Sequence, residues 1–261
     1  MNEVNKTLYI PLYGKSYVSQ KGKILNDKMA EEIWAKEGFS LKGKSKSKWL
    51  AYYMGMRSRV FDDWVVEQIG DKEDATVIHI GCGLDSRIER VGAEALLWYD
   101  VDFPEVIAER KKYFSETDSY RMLGADVSRG GWLNAIPEAK NAIVVMEGVS
   151  MYLSPDQLSL LMSELCAHFE RVSLLADFYT TFAAKASKIK NPINDVGVTQ
   201  VYGIDDPHSV EVDNLVFVWE YEMTPARLID ELSGMEKRLF KSLYGGKMSK
   251  RLYKLYEYIK A

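Results

Sequence analysis

Two glycines and two carboxylates, Gly81, Gly83, Asp100 and Asp102, are the residues whose types and spacing speak first of chemistry. They sit in VIHIGCGLDSRIERV (77–91) and LLWYDVDFPEV (96–106). The glycines end an apolar run, Val77 to Ile80, and there they allow a tight turn and close approach of a ligand to the main chain. A second apolar run, Leu96 to Tyr99, leads into Asp100-Val101-Asp102, and Asp102 follows Gly83 by nineteen residues. A strand, a glycine turn, a helix and a second strand tipped with carboxylate is how open α/β sheets hold a ribose. The chemistry implied is that of a nucleoside-containing cofactor.

The turn itself narrows the choice of cofactor. A dinucleotide site wants G-x-G-x-x-G, with the third glycine packing under a pyrophosphate. Here Ser86 takes that third position, and Asp85 stands in the turn, where a carboxylate opposes a phosphate at a helix amino terminus. S-adenosylmethionine has no phosphate and carries a sulfonium and an ammonium group, so an acidic turn suits it. A nicotinamide-dependent oxidoreductase is the alternative from another class, and a binding module without turnover is a third. His79 falls inside an apolar strand and reads as a core residue, and Cys82 as a small residue that fits between glycines. Met146 and Met151 read as packing. Arg59 and Asp62 read equally as a surface salt bridge.

The elements that position these residues follow from periodicity. From Ala75 onward, strand patterns at Thr76–Ile80, Ala95–Val101, Arg121–Ala125, Ala142–Met146 and Arg171–Asp177 alternate with helical ones. The helices are expected near Asp85–Val91, Glu105–Ser115, Trp132–Ile136 and Pro155–Phe169, the last capped by Ser154 with proline in its first turn. That alternation means a parallel sheet covered on both faces. Before it, Asn26-Asp27 caps a helix from Lys28 to about Lys36 ended by Gly38, Lys42 to Lys48 forms a basic loop, and Trp49 to Ile69 is strongly helical. After Asp177 a helix through Ala183-Ala184-Lys185 leads into a loop-rich span with Asn191-Pro192 and Asp205-Asp206-Pro207, the kind of long connection that covers a site. Leu215–Met223 then reads as a strand and Pro225–Leu232 as a helix. Leu252–Ile259 is open between strand and helix.

Bulk properties exclude several classes. The 261-residue chain is 47% hydrophobic and 28% charged, an ordinary balance for a soluble domain with a sizeable core. A formal charge of −4 argues against nucleic acid or an anionic membrane as the main partner. Two cysteines, Cys82 and Cys166, make no disulfide framework and suit a reducing cytoplasm. The amino terminus lacks the apolar core of a signal peptide, and no stretch approaches the roughly 20 apolar residues of a membrane span. No cluster has metal-ligand spacing.

Four blocks in order carry a family resemblance: IGCGLDSRIERV (80–91), WYDVDFPEVIAERKKYF (98–114), GADVSRGGWLNAI (124–136) and MEGVSMYLSPDQLSLLMSEL (146–165). MRSRVFDDWV (56–65), LYGKSYVS (12–19) and, more faintly, YGIDDP (202–207) join them. The chain resembles the leucine carboxyl methyltransferase family, especially its bacterial branch similar to tetracenomycin-type polyketide O-methyltransferases. The resemblance implies a class I S-adenosylmethionine-dependent methyltransferase fold, α/β, with a seven-stranded, doubly wound, mostly parallel sheet. An N-terminal helical cap (1–72) would pack on a Rossmann-like domain (73–261) with a cover insertion at about 178–214. Gly81 and Gly83 would line the methionine part of the cofactor, and Asp102, with Asp100 as the alternative register, would hold the ribose. Asp126 and Val127 would flank the adenine, and Glu147 would sit near the amino-acid end. Arg57 would pair with the cofactor carboxylate, a fork geometry that guanidinium suits, with Lys15 a looser match. Ser86 stands where many members have threonine. Tyr152 would orient the acceptor, with Arg59 second.

The expected activity is O-methylation of a small molecule by in-line transfer, which mainly needs alignment. A carboxylate acceptor is ionised at neutral pH, whereas a phenol benefits from a base, and the chain has only three histidines. Methylation of a protein C-terminal carboxylate is the runner-up. A homodimer is left open.

Overall fold

The computed structural model describes residues 8–37, 41, 43–71, 74–93, 96–190, 200–245 and 247–261. Seven strands form one sheet: β1 (Ala75–Ile80), β2 (Leu97–Asp102), β3 (Tyr120–Gly124), β4 (Asn141–Met146), β5 (Arg171–Tyr179), β6 (Val216–Tyr221) and β7 (Tyr253–Lys260). Their order is β3-β2-β1-β4-β5-β7-β6. The first five pair in parallel, and β7 runs antiparallel between β5 and β6. Every residue of β1 and β4 is buried, as expected for central strands covered on both faces. The doubly wound, mostly parallel sheet read from the sequence is therefore the fold. The terminal segment left open between strand and helix is a strand, reached through a short helix, α10 (Lys247–Leu252).

Among the described residues, three α-helices precede the sheet: α1 (Tyr9–Gln20), α2 (Lys28–Glu37) and α3 (Lys48–Asp71). Asp27 caps α2 as anticipated, its Oδ1 accepting from the Ala30 N–H at 2.8 Å. The helix α1 was not foreseen. It lies close on α3 because glycines clear the contact: a Cβ on Gly14 would come 2.8 Å from Met54 Cβ, and one on Gly55 2.8 Å from Val18 Cγ2. Side chains of α3 such as Met56, Phe61 and Val65 share one apolar cluster with Val77 of β1 and Ile143 and Val145 of β4. The sheet's other face packs Ile78, Ile80 and Val144 against α6 (Pro155–His168), which opens on a capping box between Ser154 and Gln157.

Shorter elements complete the alternation: α4 (Arg87–Val91), α5 (Pro104–Arg110) and, in place of a helix near Trp132–Ile136, a 3₁₀ turn at Trp132–Ala135. After β5 comes α7 (Thr181–Lys190), then β6, α8 (Ala226–Ile229) and α9 (Gly234–Tyr244), the last also unforeseen. The expected basic loop contains a 3₁₀ turn at Gly43–Lys46. Gly38, Lys42, Ala95 and Asn191-Pro192 lie outside the described residues. Past them, the YGIDDP segment is stitched to the sheet edge: Tyr202 N–H donates to Met151 O at 2.8 Å and Ile204 N–H to Tyr179 O at 2.7 Å. Gly203 is needed there, since a Cβ would stand 2.5 Å from Thr180 O.

Candidate active site

A cavity of about 880 Å³ opens at the carboxyl ends of β1, β2 and β4. That is the point where the winding of the sheet reverses, the usual ligand crevice of open α/β folds. Its floor is the turn after β1, its walls are Asp102, Asp126, Val127 and the Glu147–Leu153 segment, and Lys15, Tyr53 and Arg57 approach from the helices before the sheet.

The glycine turn does what its sequence promised. Gly81 has φ +68° and Gly83 φ +50°, left-handed conformations that favour glycine. A Cβ on Gly81 would sit 2.1 Å from Val149 Cγ2, so the turn and the segment after β4 meet only through a missing side chain. The nineteen-residue spacing closes as a hydrogen bond: Gly83 N–H donates to Asp102 Oδ2 at 2.8 Å, while Phe103 N–H donates to Oδ1 at 2.8 Å. Burial pushes the Asp102 carboxyl up to about 6, against these two N–H donors. Asp100, two residues earlier, turns away from the cavity. It accepts from Arg110 at 2.5 Å, Tyr120 at 2.6 Å and Trp98 Nε1 at 2.9 Å, with His79 Nδ1 at 3.2 Å. Burial raises its carboxyl, but Arg110 and His79 outweigh that and hold it at about 2. His79 is closed in between Asp100 and Arg87.

Beneath the cavity lies a buried ionic network. Asp85 is paired with Lys15 at 2.8 Å, Arg90 at 2.6 Å and Arg87 at 3.4 Å. Those three cations hold its carboxyl well below the ordinary range despite burial. The acidic turn is thus neutralised by the protein itself, which corrects the reading of Asp85 as a bare charge offered to a cationic cofactor. Glu147 accepts from Arg57 Nε at 3.0 Å, from Ser58 Oγ at 3.0 Å and from Arg87. Burial works against its ionised form, yet Arg57, Arg87 and Lys15 bring it down to about 2. Arg57 also reaches Asp177 near the end of β5, Nη1 to Oδ2 at 3.0 Å.

At the amino end of α4, Ser86 Oγ donates to Asp27 at 2.6 Å and Arg90 donates to Asp27 at 2.7 Å. A leucine carboxyl methyltransferase family model matches residues 6–166.

The chain belongs to the leucine carboxyl methyltransferase family.

It is similar to the tetracenomycin polyketide synthesis O-methyltransferase TcmP of Streptomyces glaucescens, 28% identical over 238 residues that cover 90% of this chain and 88% of the relative. An S-adenosyl-L-methionine-dependent methyltransferase of Gibberella zeae is 25% identical over 79% of this chain and 77% of its own length. The fold is shared with magnesium protoporphyrin IX methyltransferase of Synechocystis PCC 6803, solved with bound S-adenosylhomocysteine, at TM-score 0.53 and 14% identity over 90% of this chain and 95% of that one. The protein is therefore a methyltransferase dependent on S-adenosylmethionine, on the class I fold. The nicotinamide alternative falls.

Within this family member, the cavity gathers Lys15, Arg57, Gly81, Gly83, Asp102, Asp126, Val127, Glu147 and Tyr152. Asp126 is partly exposed and already accepts from Ser128 N–H at 3.1 Å and Oγ at 2.6 Å. Arg59 does not join them. Its guanidinium, 41% exposed, bonds Asp63 at 2.7 Å and Ile24 O at 2.9 Å on the outer side of α3. Two residues from Arg57, it falls about 200° round the helix on the opposite face and does not line the cavity, so the secondary assignment of Arg59 to the acceptor does not fit. The surface pair is Arg59–Asp63, while Asp62 turns inward to Arg87 and Arg90 at 2.8 and 2.7 Å. Sequence reasoning missed Arg87, Arg90, Asp177 and a ring of tyrosines, Tyr53, Tyr179, Tyr244 and Tyr253, that lines the side of the cavity beyond Tyr152. Asp177 carried a signal, an acid at the carboxyl end of an apolar strand, as Asp102 did.

Proposed function

We propose that the protein methylates an oxygen of a small molecule, a carboxylate in the first instance, in the cavity at the carboxyl edge of the sheet. The observation that carries this is Asp102, which lines the cavity and is fixed there by N–H donors from Gly83 in the glycine turn and from Phe103. Asp102 would accept the ribose hydroxyls, Gly81 and Gly83 would lie along the methionine chain, and Asp126 with Val127 would border the adenine. Lys15 and Arg57 would face the cofactor carboxylate, and Glu147 would fix Arg57 near the amino-acid end. Arg57 uses Nε and one N–H on each terminal nitrogen for Glu147 and Asp177; a guanidinium has five N–H groups, so two remain for a ligand. When bound, S-adenosylmethionine supplies an electrophilic methyl group on a sulfonium.

The chain's own part is then alignment and exclusion of water. Tyr152, held in a 3₁₀ turn by its N–H to Val149 O at 2.9 Å, would orient the acceptor. A carboxylate acceptor, with an ordinary pKa near 4, needs no base. Apart from His79, enclosed between Asp100 and Arg87, no described histidine lines the cavity. That favours a carboxylate over a phenol, which at about 10 would call for one. The two thiols, both free and buried, accord with a cytoplasmic setting, and among the described residues no helix is long and apolar enough to cross a membrane. The donor half is tested by calorimetric titration with S-adenosylhomocysteine: the native protein binds one equivalent, and Asp102→Ala loses the heat. Unchanged affinity in the variant would remove Asp102 from the site.

A further inference from the structure

Asp177 lies within the buried run of β5, two residues before its end, and is wholly enclosed. Its acceptor atoms tie α3 to the segment after β4. Oδ2 takes Arg57 Nη1 at 3.0 Å, Oδ1 takes the Gly148 N–H at 2.6 Å, and its carbonyl takes Ser150 Oγ. Gly148 has φ +76°, and a Cβ there would lie 3.4 Å from Arg57 Nη1, so the guanidinium is seated against bare backbone. Asp177 itself does not line the cavity, whereas Arg57 and Gly148 do.

Resting on the cofactor placement above, we infer that Asp177 is a positioning residue for methyl-donor binding: it fixes the Nη1 edge of Arg57 so that the remaining N–H groups meet the carboxylate at the cofactor's amino-acid end. Glu147 alone would hold Arg57 through Nε and Nη2, leaving the far edge of the fork to swing. With Asp177 on the opposite side the guanidinium plane is fixed by two carboxylates from two adjacent strands. A lysine at position 57 could not be held this way, since an ammonium has no fork to orient. The same carboxylate also ties down the Gly148 turn, which carries Val149 against Gly81. The donor's amino-acid end and the floor beneath it are therefore set by one side chain that never touches the ligand.

The test compares two ligands by calorimetry, S-adenosylhomocysteine and 5′-methylthioadenosine, which lacks the amino-acid portion. Asp177→Asn should weaken S-adenosylhomocysteine by about tenfold or more, the scale of losing a hydrogen bond to a charged group, and leave 5′-methylthioadenosine within about twofold, the size expected where no contact is changed. In an Arg57→Lys background the same substitution should add no further loss, because its effect runs through the guanidinium. Equal weakening of both ligands, no weakening of either, or full additivity with Arg57→Lys would overturn the proposal. Should Asp177→Asn not fold, Asp177→Glu keeps the charge and shifts it by one methylene, and must give the same selective loss. A native protein that binds neither ligand would instead count against the cofactor placement itself.

Discussion

At Asp102 the protein accepts a local penalty. Burial raises its carboxyl from 3.8 to about 6, so in the ligand-free protein its contribution to stability is fully present below pH 3.8 and is lost as pH rises through about 6. A ligand that bonds the ionised form reverses that preference. Cofactor affinity should therefore rise as pH increases through about 6 and level off above it; a calorimetric series across that range with a flat profile would contradict the assignment. Glu147 runs the other way: lowered from 4.5 to about 2, it contributes stability above pH 4.5 that is lost as pH falls toward 2. Asp102 could be read in the sequence because its spacing from Gly83 is set by one strand–turn–helix–strand unit. The pairing of Arg57 with Asp177, or of Lys15 with Asp85, could not. Those partners come from helices before the sheet and strands far along the chain, and only packing decides which cation meets which acid.

At the scale of elements, the turn after β1 holds the cavity open. Gly81→Ala would force a φ of +68° on a residue with a Cβ, a cost of about 1–2 kcal/mol, and would press that carbon into Val149. The expected result is a folded protein with cofactor binding sharply reduced, partly restored by Val149→Ala; binding equal to native in the single variant would refute the close-approach account. The strands were read to within two residues at nearly every boundary, because buried parallel strands are continuous apolar runs. The helices α1 and α9 escaped. Gly14 and Pro11 break the helical pattern of α1, and Gly14 makes sense only against Met54 of α3. In α9, Met235, Leu239 and Leu243 recur at helical spacing as an apolar stripe that the sequence reading passed over, and all three are exposed while Phe240 is buried.

Across the whole molecule, the sheet order sets the division of labour. The parallel half, β1 to β4, ends in the donor side of the cavity, and the antiparallel return through β7 brings Tyr253 to the other side, where Tyr253 Oη donates to Tyr179 Oη at 3.1 Å. The segments around it, from α1 to α7 and the chain after Gln200, supply the walls that would meet an acceptor. Such covers vary more freely than the sheet beneath them, which is why the donor could be read from the sequence and the acceptor only by class. The most direct test supplies methyl-labelled S-adenosylmethionine with a panel of small carboxylic acids, phenols and a peptide ending in a free carboxylate, and follows the label by mass spectrometry. The account predicts label on a small acid as an alkali-labile methyl ester. Label confined to the peptide, or on no oxygen at all, would contradict it.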